Sequence, residues 1–130
     1  MLITKNPSTV AKPSALYSHS VEIPENARWL VTAGQVGKRE DGTMPHGFEA
    51  QHEQVWENTI AILEASGYGV EDIVRLNVYS TDPGGLKFLT PHRKKYLNSD
   101  HIPPSTWVVV SQLANPEWVV EMETIAARVF

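Results

Sequence analysis

The sequence predicts an α+β domain in which two helices cover one face of a sheet of five or six strands. Three observations carry this. Short strand-like runs fill the first third and the end of the chain, two helical segments fall between them, and the closing strands are apolar on both faces. With 130 residues and 42% hydrophobic side chains, the chain has the size and apolar content of one packed domain, residues 1–130.

The elements follow in order. Leu16 to Ile23 reads as a strand closed by Pro24-Glu25-Asn26, and Trp29-Leu30-Val31-Thr32-Ala33 as a second ended by Gly34. Asp41-Gly42 is a turn signal. His52, Val55, Trp56, Thr59, Ile60 and Leu63 recur at three- and four-residue steps and form one face of a helix, with Glu53, Glu57 and Glu64 away from it. Gly67 is placed to close that helix in a left-handed turn. Over Ile73 to Thr81, Val74, Leu76 and Val78 point one way and Arg75, Asn77 and Tyr79 the other. Asp82 is a plausible cap for a second helix, Leu86 to Leu97, whose Pro91 belongs in the first turn. Asn115-Pro116 separates two final strands, roughly Ser105 to Gln112 and Val119 to Phe130.

Composition narrows the function. Eleven Lys and Arg against 15 Asp and Glu give −4, so the surface as a whole repels phosphate and a nucleic-acid partner is not expected. The absence of cysteine removes disulfides, thiolate nucleophiles, iron–sulfur clusters and zinc knuckles. No signal-peptide pattern and no apolar run of about 20 residues is present, so a cytoplasmic protein without a membrane partner is expected. His19, His46, His52, His92 and His101 show no metal-ligand spacing, and no metal or cofactor is expected. His52, on the apolar helix face, reads as a core histidine. His92-Arg93-Lys94-Lys95 with Lys87 reads as a basic helix end complementing the backbone dipole. No nucleophile elbow, P-loop or dinucleotide fingerprint occurs.

The last strands are the informative anomaly. Trp107-Val108-Val109-Val110 is apolar on both faces, and the final strand sets Val119, Ile125, Ala127 and Val129 against Val120, Met122, Ala126 and Phe130. Helices cover only one face, and an exposed second apolar face is a liability at ~1.5–3 kcal/mol per buried aliphatic side chain. Another copy of the chain would cover it most economically; a loop folding back is the alternative. Glu121 and Glu123 project from the Ile125 face, where a carboxylate must be hydrogen-bonded or face a wet site.

Read together, Tyr17, Ala33-Gly34-Gln35-Val36 in an S-G-Q-like position, Asp41-Gly42, and Gln51, Gln54 and Asn58 on the first helix form one series. Leu63-Glu64-Ala65-Ser66-Gly67, Asp72-Ile73-Val74, Pro103 running into Val108 and Leu113, and Val120-Glu121-Met122-Glu123 before Ile125-Ala126 complete it. The series resembles the Rid (reactive intermediate deaminase, or YjgF) family, also called endoribonuclease L-PSP-like. The resemblance implies a chorismate-mutase-like fold with a mixed sheet, a homotrimeric barrel, and ligand clefts between subunits. It also implies hydrolysis of 2-imino and 2-enamino acids, with an arginine two residues after the strand proline holding the substrate carboxylate and a final-strand glutamate positioning water.

This chain departs from that pattern. The arginine position is Ser105, the serine of S-G-Q is Ala33, and the small residue two beyond the arginine is Trp107. The resemblance thus implies Glu123 as the catalytic carboxylate and Tyr17, Ala33, Gly34, Ser105 and Trp107 as substrate-binding residues. The expected protein is a divergent hydrolase of a small imine or enamine, inefficient on 2-imino acids, or alternatively a non-catalytic trimeric binder. Arg128 has the wrong parity to replace the clamp beside Glu123, while Arg75 shares a face with Asn77 and Tyr79 and remains a candidate. Endoribonuclease activity is disfavoured by the charge and by the lack of a general-base histidine pair.

Overall fold

In a computed structural model describing residues 1–97 and 100–130, the sheet is organised by its last strand. Strand β7 (Val120–Arg128) receives β3 (Arg28–Val31) and β4 (Gln35–Val36) along one edge and β5 (Ile73–Ser80) along the other, all antiparallel. Strand β6 (Ser105–Val109) joins β5 in parallel, giving the order β3-β7-β5-β6 and a mixed five-stranded sheet. Helices α1 (Phe48–Ala65) and α2 (Leu89–Leu97) pack on one face, as expected for the α+β fold. Among the described residues no helix is long and apolar enough to cross a membrane.

Alternation sorts the sheet residues. Val120, Met122, Thr124 and Ala126 of β7 and Leu76, Val78 and Ser80 of β5 are buried beneath Val55, Trp56, Thr59 and Leu63 of α1. Glu121, Glu123 and Ile125 point to the opposite face with Tyr79, Asn77 and Arg75, their partners in register. There the apolar side chains have no cover: Trp29 is 56% and Val31 68% exposed, and Val108 is exposed as well. Among the described residues neither a loop nor the N-terminal segment covers these side chains.

The end of α1 follows its sequence signal, whereas α2 starts at Leu89, three residues later than expected. Gly67 sits at φ +81°, and the amides of Gly67 and Tyr68 donate to the carbonyls of Glu64 and Leu63. Asp82 accepts from the Gly84 amide at 2.8 Å, capping a 3-10 turn (Pro83–Phe88) rather than α2 itself, and Pro91 lies in the first turn of α2. Two departures matter for the site. The strand expected over 16–23 shrinks to β2 (Ser20–Glu22), paired with an unexpected β1 (Ile3–Lys5) in a separate ribbon. The Leu16–Ser18 stretch instead crosses to the foot of β6, where the Ser18 amide donates to the Pro103 carbonyl. The last two strands are also shorter than expected, ending at Val109 and Arg128.

Gln51 fastens α1 to the approach of β7. Its buried side-chain Nε2 donates to the Pro45 and Glu117 carbonyls, both at 3.1 Å, while Oε1 accepts from the Val119 amide at 3.0 Å. Gln51→Leu would leave these backbone groups without partners, so we expect about 2–4 kcal/mol of destabilisation, read as a lower urea midpoint at unchanged slope.

Candidate functional site

The predicted site residues fall into two groups on opposite faces of the sheet. Register places Ser105 beside Leu76 and Trp107 beside Val78, so both point to the helix face. Register places Glu123 beside Asn77 and Glu121 beside Tyr79, so both carboxylates point to the other face. Tyr17 joins the first group. Ala33 and Gly34 join the second, in the loop leading to β4, whose Gln35 and Val36 pair with Met122 and Glu121.

The first group lines a cavity of about 670 Å³ whose walls include Ala15, Tyr17, Lys87, Thr90, Ser105 and Trp107. The Trp107 ring packs against Phe48 and edge-on against His52, with centroids 6.0 and 5.6 Å apart. The crossing of 16–18 over the foot of β6 is what brings Tyr17 here; its hydroxyl accepts from the Ser14 amide at 3.4 Å.

Behind this wall lies a residue that the sequence did not single out as functional. Arg93 is 2% exposed, and its Nη1 donates to Ser105 Oγ at 2.6 Å and to the Leu16 carbonyl at 3.2 Å. Its Nη2 is buried without a partner, as is Trp107 Nε1, and no carboxylate among the described residues pairs with the guanidinium. Burial lowers the guanidinium to about 10, which leaves it charged at neutral pH. The basic run expected at a solvated helix end is therefore split, because α2 turns His92 and Arg93 inward and leaves Lys94 and Lys95 outside. Periodicity on the short α2 could have flagged this: Leu89 and Leu97 bracket Arg93 at four-residue steps.

The second group is organised around the Ala33-Gly34 loop. The Glu121 carboxylate lies in the space a Cβ on Gly34 would take, so a side chain there would displace it, and Glu121 is the acid that borders the loop. Glu123 Oε1 accepts the Tyr79 hydroxyl at 2.6 Å, and that hydrogen bond raises the Tyr79 phenol above its ordinary range. Arg75 donates to Asn77 Oδ1 at 3.0 Å and to Thr106 Oγ1 at 2.7 Å, on the face away from its own chain's Ser105.

The fold also builds a histidine pair that linear spacing could not reveal. His52 and His92 stack with Nδ1 atoms 2.6 Å apart, one ring donating and the other accepting. His52 is 1% exposed, so the pair is a core device unavailable to a large substrate. Its outer neighbour is a cluster in which Glu49, Glu53 and His92 bring donor atoms within 4.8 Å of one another. Burial above all, with His92 and the Arg93 charge adding to it, lowers His52 to about 3, and burial lowers His92 too.

Comparison with known proteins follows the same outline. The chain matches the family model described as Endoribonuclease L-PSP over residues 8–128. A RutC family protein of Aquifex aeolicus is 34% identical over 119 residues, covering 89% of this chain and 91% of that protein. A Yersinia pestis protein of unknown function in the conserved Rid family, YyfB, superposes with a TM-score of 0.88 at 29% identity, covering 98% of both chains. Escherichia coli TdcF, solved with bound serine, gives 0.72 at 27% identity, covering 78% of this chain and 81% of that one.

The histidine pair makes stability depend on pH. In the unfolded chain His52 protonates near 6.5, but in the folded protein it resists protonation down to about 3, so acid favours unfolding across that window. We expect stability to fall by up to ~1.4 kcal/mol per unit as pH drops below about 6.5, read as a falling thermal midpoint, and His52→Gln to flatten the dependence.

Proposed function

Because this chain belongs to the endoribonuclease L-PSP family, the group of the Rid and YjgF proteins, we propose that it is a hydrolytic deaminase of small imines or enamines, acting in clefts between the subunits of a homotrimer. One observation carries the reading: the two halves of the candidate site stand on opposite faces of one sheet, and the carboxylate-bearing face also exposes Trp29, Val31 and Val108. Within a single chain the sheet separates Tyr17, Ser105 and Trp107 from Gly34, Glu121 and Glu123. Association of copies through the uncovered apolar face buries it and can set one protomer's aromatic half-site against another's acids.

In such a cleft the chemistry needs an oriented water and a proton carrier. An enamine first tautomerises to the imine. Water oxygen then attacks the imine carbon, and the carboxylate that holds the water accepts one of its protons. That proton passes to nitrogen, giving a carbinolamine; its hydroxyl proton then moves by way of the same carboxylate to the amino group, the C=O bond forms as the C–N bond breaks, and ammonia leaves from a carbonyl product. Water positioning falls to the Glu121–Glu123 pair. The Glu121 carboxylate lies against Gly34, and Glu123 is fixed by Tyr79. Tyr17 and Trp107 shape the aromatic wall, and Ala33 widens the loop side. The serine bound to TdcF makes a small amino-acid-like ligand a reasonable guide to size.

A second reading, a trimeric binder without turnover, is favoured by one specific residue: β6 offers the Ser105 hydroxyl where the family pattern has a guanidinium. Cleavage of RNA fits neither the net charge of −4 nor the burial of the histidine pair.

Sedimentation and an ammonia-release assay over uncharged and carboxylated imines decide between these readings. We expect a trimer that Trp29→Glu converts to monomer. Turnover should fall at least ~100-fold in Glu121→Gln or Glu123→Gln while the trimer persists. Saturable ligand binding with no ammonia from any imine would establish the binder, and a stable natural monomer would remove the clefts altogether.

A further inference from the structure

Arg93 is a buried cation without an anion. Moving a guanidinium into the interior is costly unless a carboxylate or a full set of acceptors meets it. This one spends Nη1 on a hydroxyl and a carbonyl, keeps Nη2 unpartnered, and pairs with no carboxylate among the described residues. Its place is specific. Ser105 lines the 670 Å³ cavity, Leu16 lies between the lining residues Ala15 and Tyr17, and Leu89 and Thr90, one helical turn before Arg93, line it too. The guanidinium therefore stands directly behind the cavity wall at its Ser105 end. Trp107, also in that wall, has a second buried donor without an acceptor.

We propose that Arg93, reaching from α2 behind Ser105, is the anion-recognising group of this protein, and that the ligand is a small organic carboxylate seated against the Ser105 hydroxyl with its apolar body between Tyr17 and Trp107. Ser105 Oγ accepts from Arg93 and so keeps its own proton for the ligand, strengthened as a donor by the charge behind it. The carboxylate supplies, across the Ser105 hydroxyl, the negative charge that the buried cation lacks. Lys87, on the same wall, adds a second positive charge. The clamp that strand β6 lost is thus rebuilt from the neighbouring helix, one hydroxyl deeper. This deepens the deaminase reading, since it concerns the same cleft, but binding and turnover can be measured apart.

The test titrates the protein with 2-oxobutyrate, which cannot be deaminated, and with its uncharged amide, by calorimetry and tryptophan fluorescence. We expect the carboxylate to bind at least ~10-fold tighter than the amide, with Arg93→Lys weakening the carboxylate ~10- to 100-fold and Ser105→Ala ~10-fold, and the amide little changed in either. Ser105→Arg should not improve binding, because it sets a second guanidinium against the first. If Arg93→Lys fails to fold, Ser105→Ala and the carboxylate–amide ratio decide. Equal affinity for the two ligands, no detectable carboxylate binding, or full binding in both variants would overturn the assignment. Hydrolysis of an uncharged imine by a protein indifferent to carboxylates would leave the deaminase reading standing and sink this one. Arg93-dependent carboxylate binding without ammonia release would do the reverse.

Discussion

Strand β7 has to satisfy two environments at once, and most of the structure answers to that. Its even-numbered residues, Val120 to Ala126, lie in a dry core under α1, while Glu121 and Glu123 alternate with them on a face that no helix reaches. A pleated strand with period two can do this only if both edges are paired, because any slip in register would turn the carboxylates into the core. β3, β4 and β5 supply that pairing, and Gln51 pins the entry to the strand. The acids are therefore held on a rigid scaffold, which is what a water-positioning carboxylate requires.

The same alternation explains why a single subunit presents only partial sites. The aromatic cavity draws on β6 and on Ser14, Ala15 and Tyr17, whereas the acids draw on the opposite face of β7. In the proposed assembly, the apolar patch and the divided site are two consequences of one geometry. Burying Trp29 and Val31 between copies removes their exposure to water and can complete a cleft in the same step.

Much of this was legible from residue order alone. The α1 face, the Gly67 stop, the alternation of β5 and the doubly apolar end of the chain follow from local periodicity, and local periodicity is what a sequence displays. What escaped it was long-range. His52 and His92 are 40 residues apart and meet only because α1 and α2 lie side by side. The stretch before β2 has strand-like composition, yet the Ser18 amide bonds to the Pro103 carbonyl, so tertiary contact overrides propensity there. Glu121 and Glu123 are equivalent by parity, and only the packing of the 33–34 loop separates the acid that borders Gly34 from the one held by Tyr79.

Arg93 shows the limit most sharply, because its neighbours in sequence argued for the wrong environment. In a run of four basic or titratable residues, solvent exposure is the economical expectation, but a helix rotates each residue by about 100°, so adjacent charges need not share a side. Lys94 and Lys95 keep the outside, and Arg93 is carried under Ser105. Had β6 kept an arginine at position 105, the two guanidinium groups would compete for one space. The serine is small enough to admit the Arg93 head and polar enough to satisfy one of its donors. Read with its surroundings, Ser105 marks a relocation of positive charge, and the absence of a charged residue at one position says little about the field in a cleft until the elements packed behind it are known.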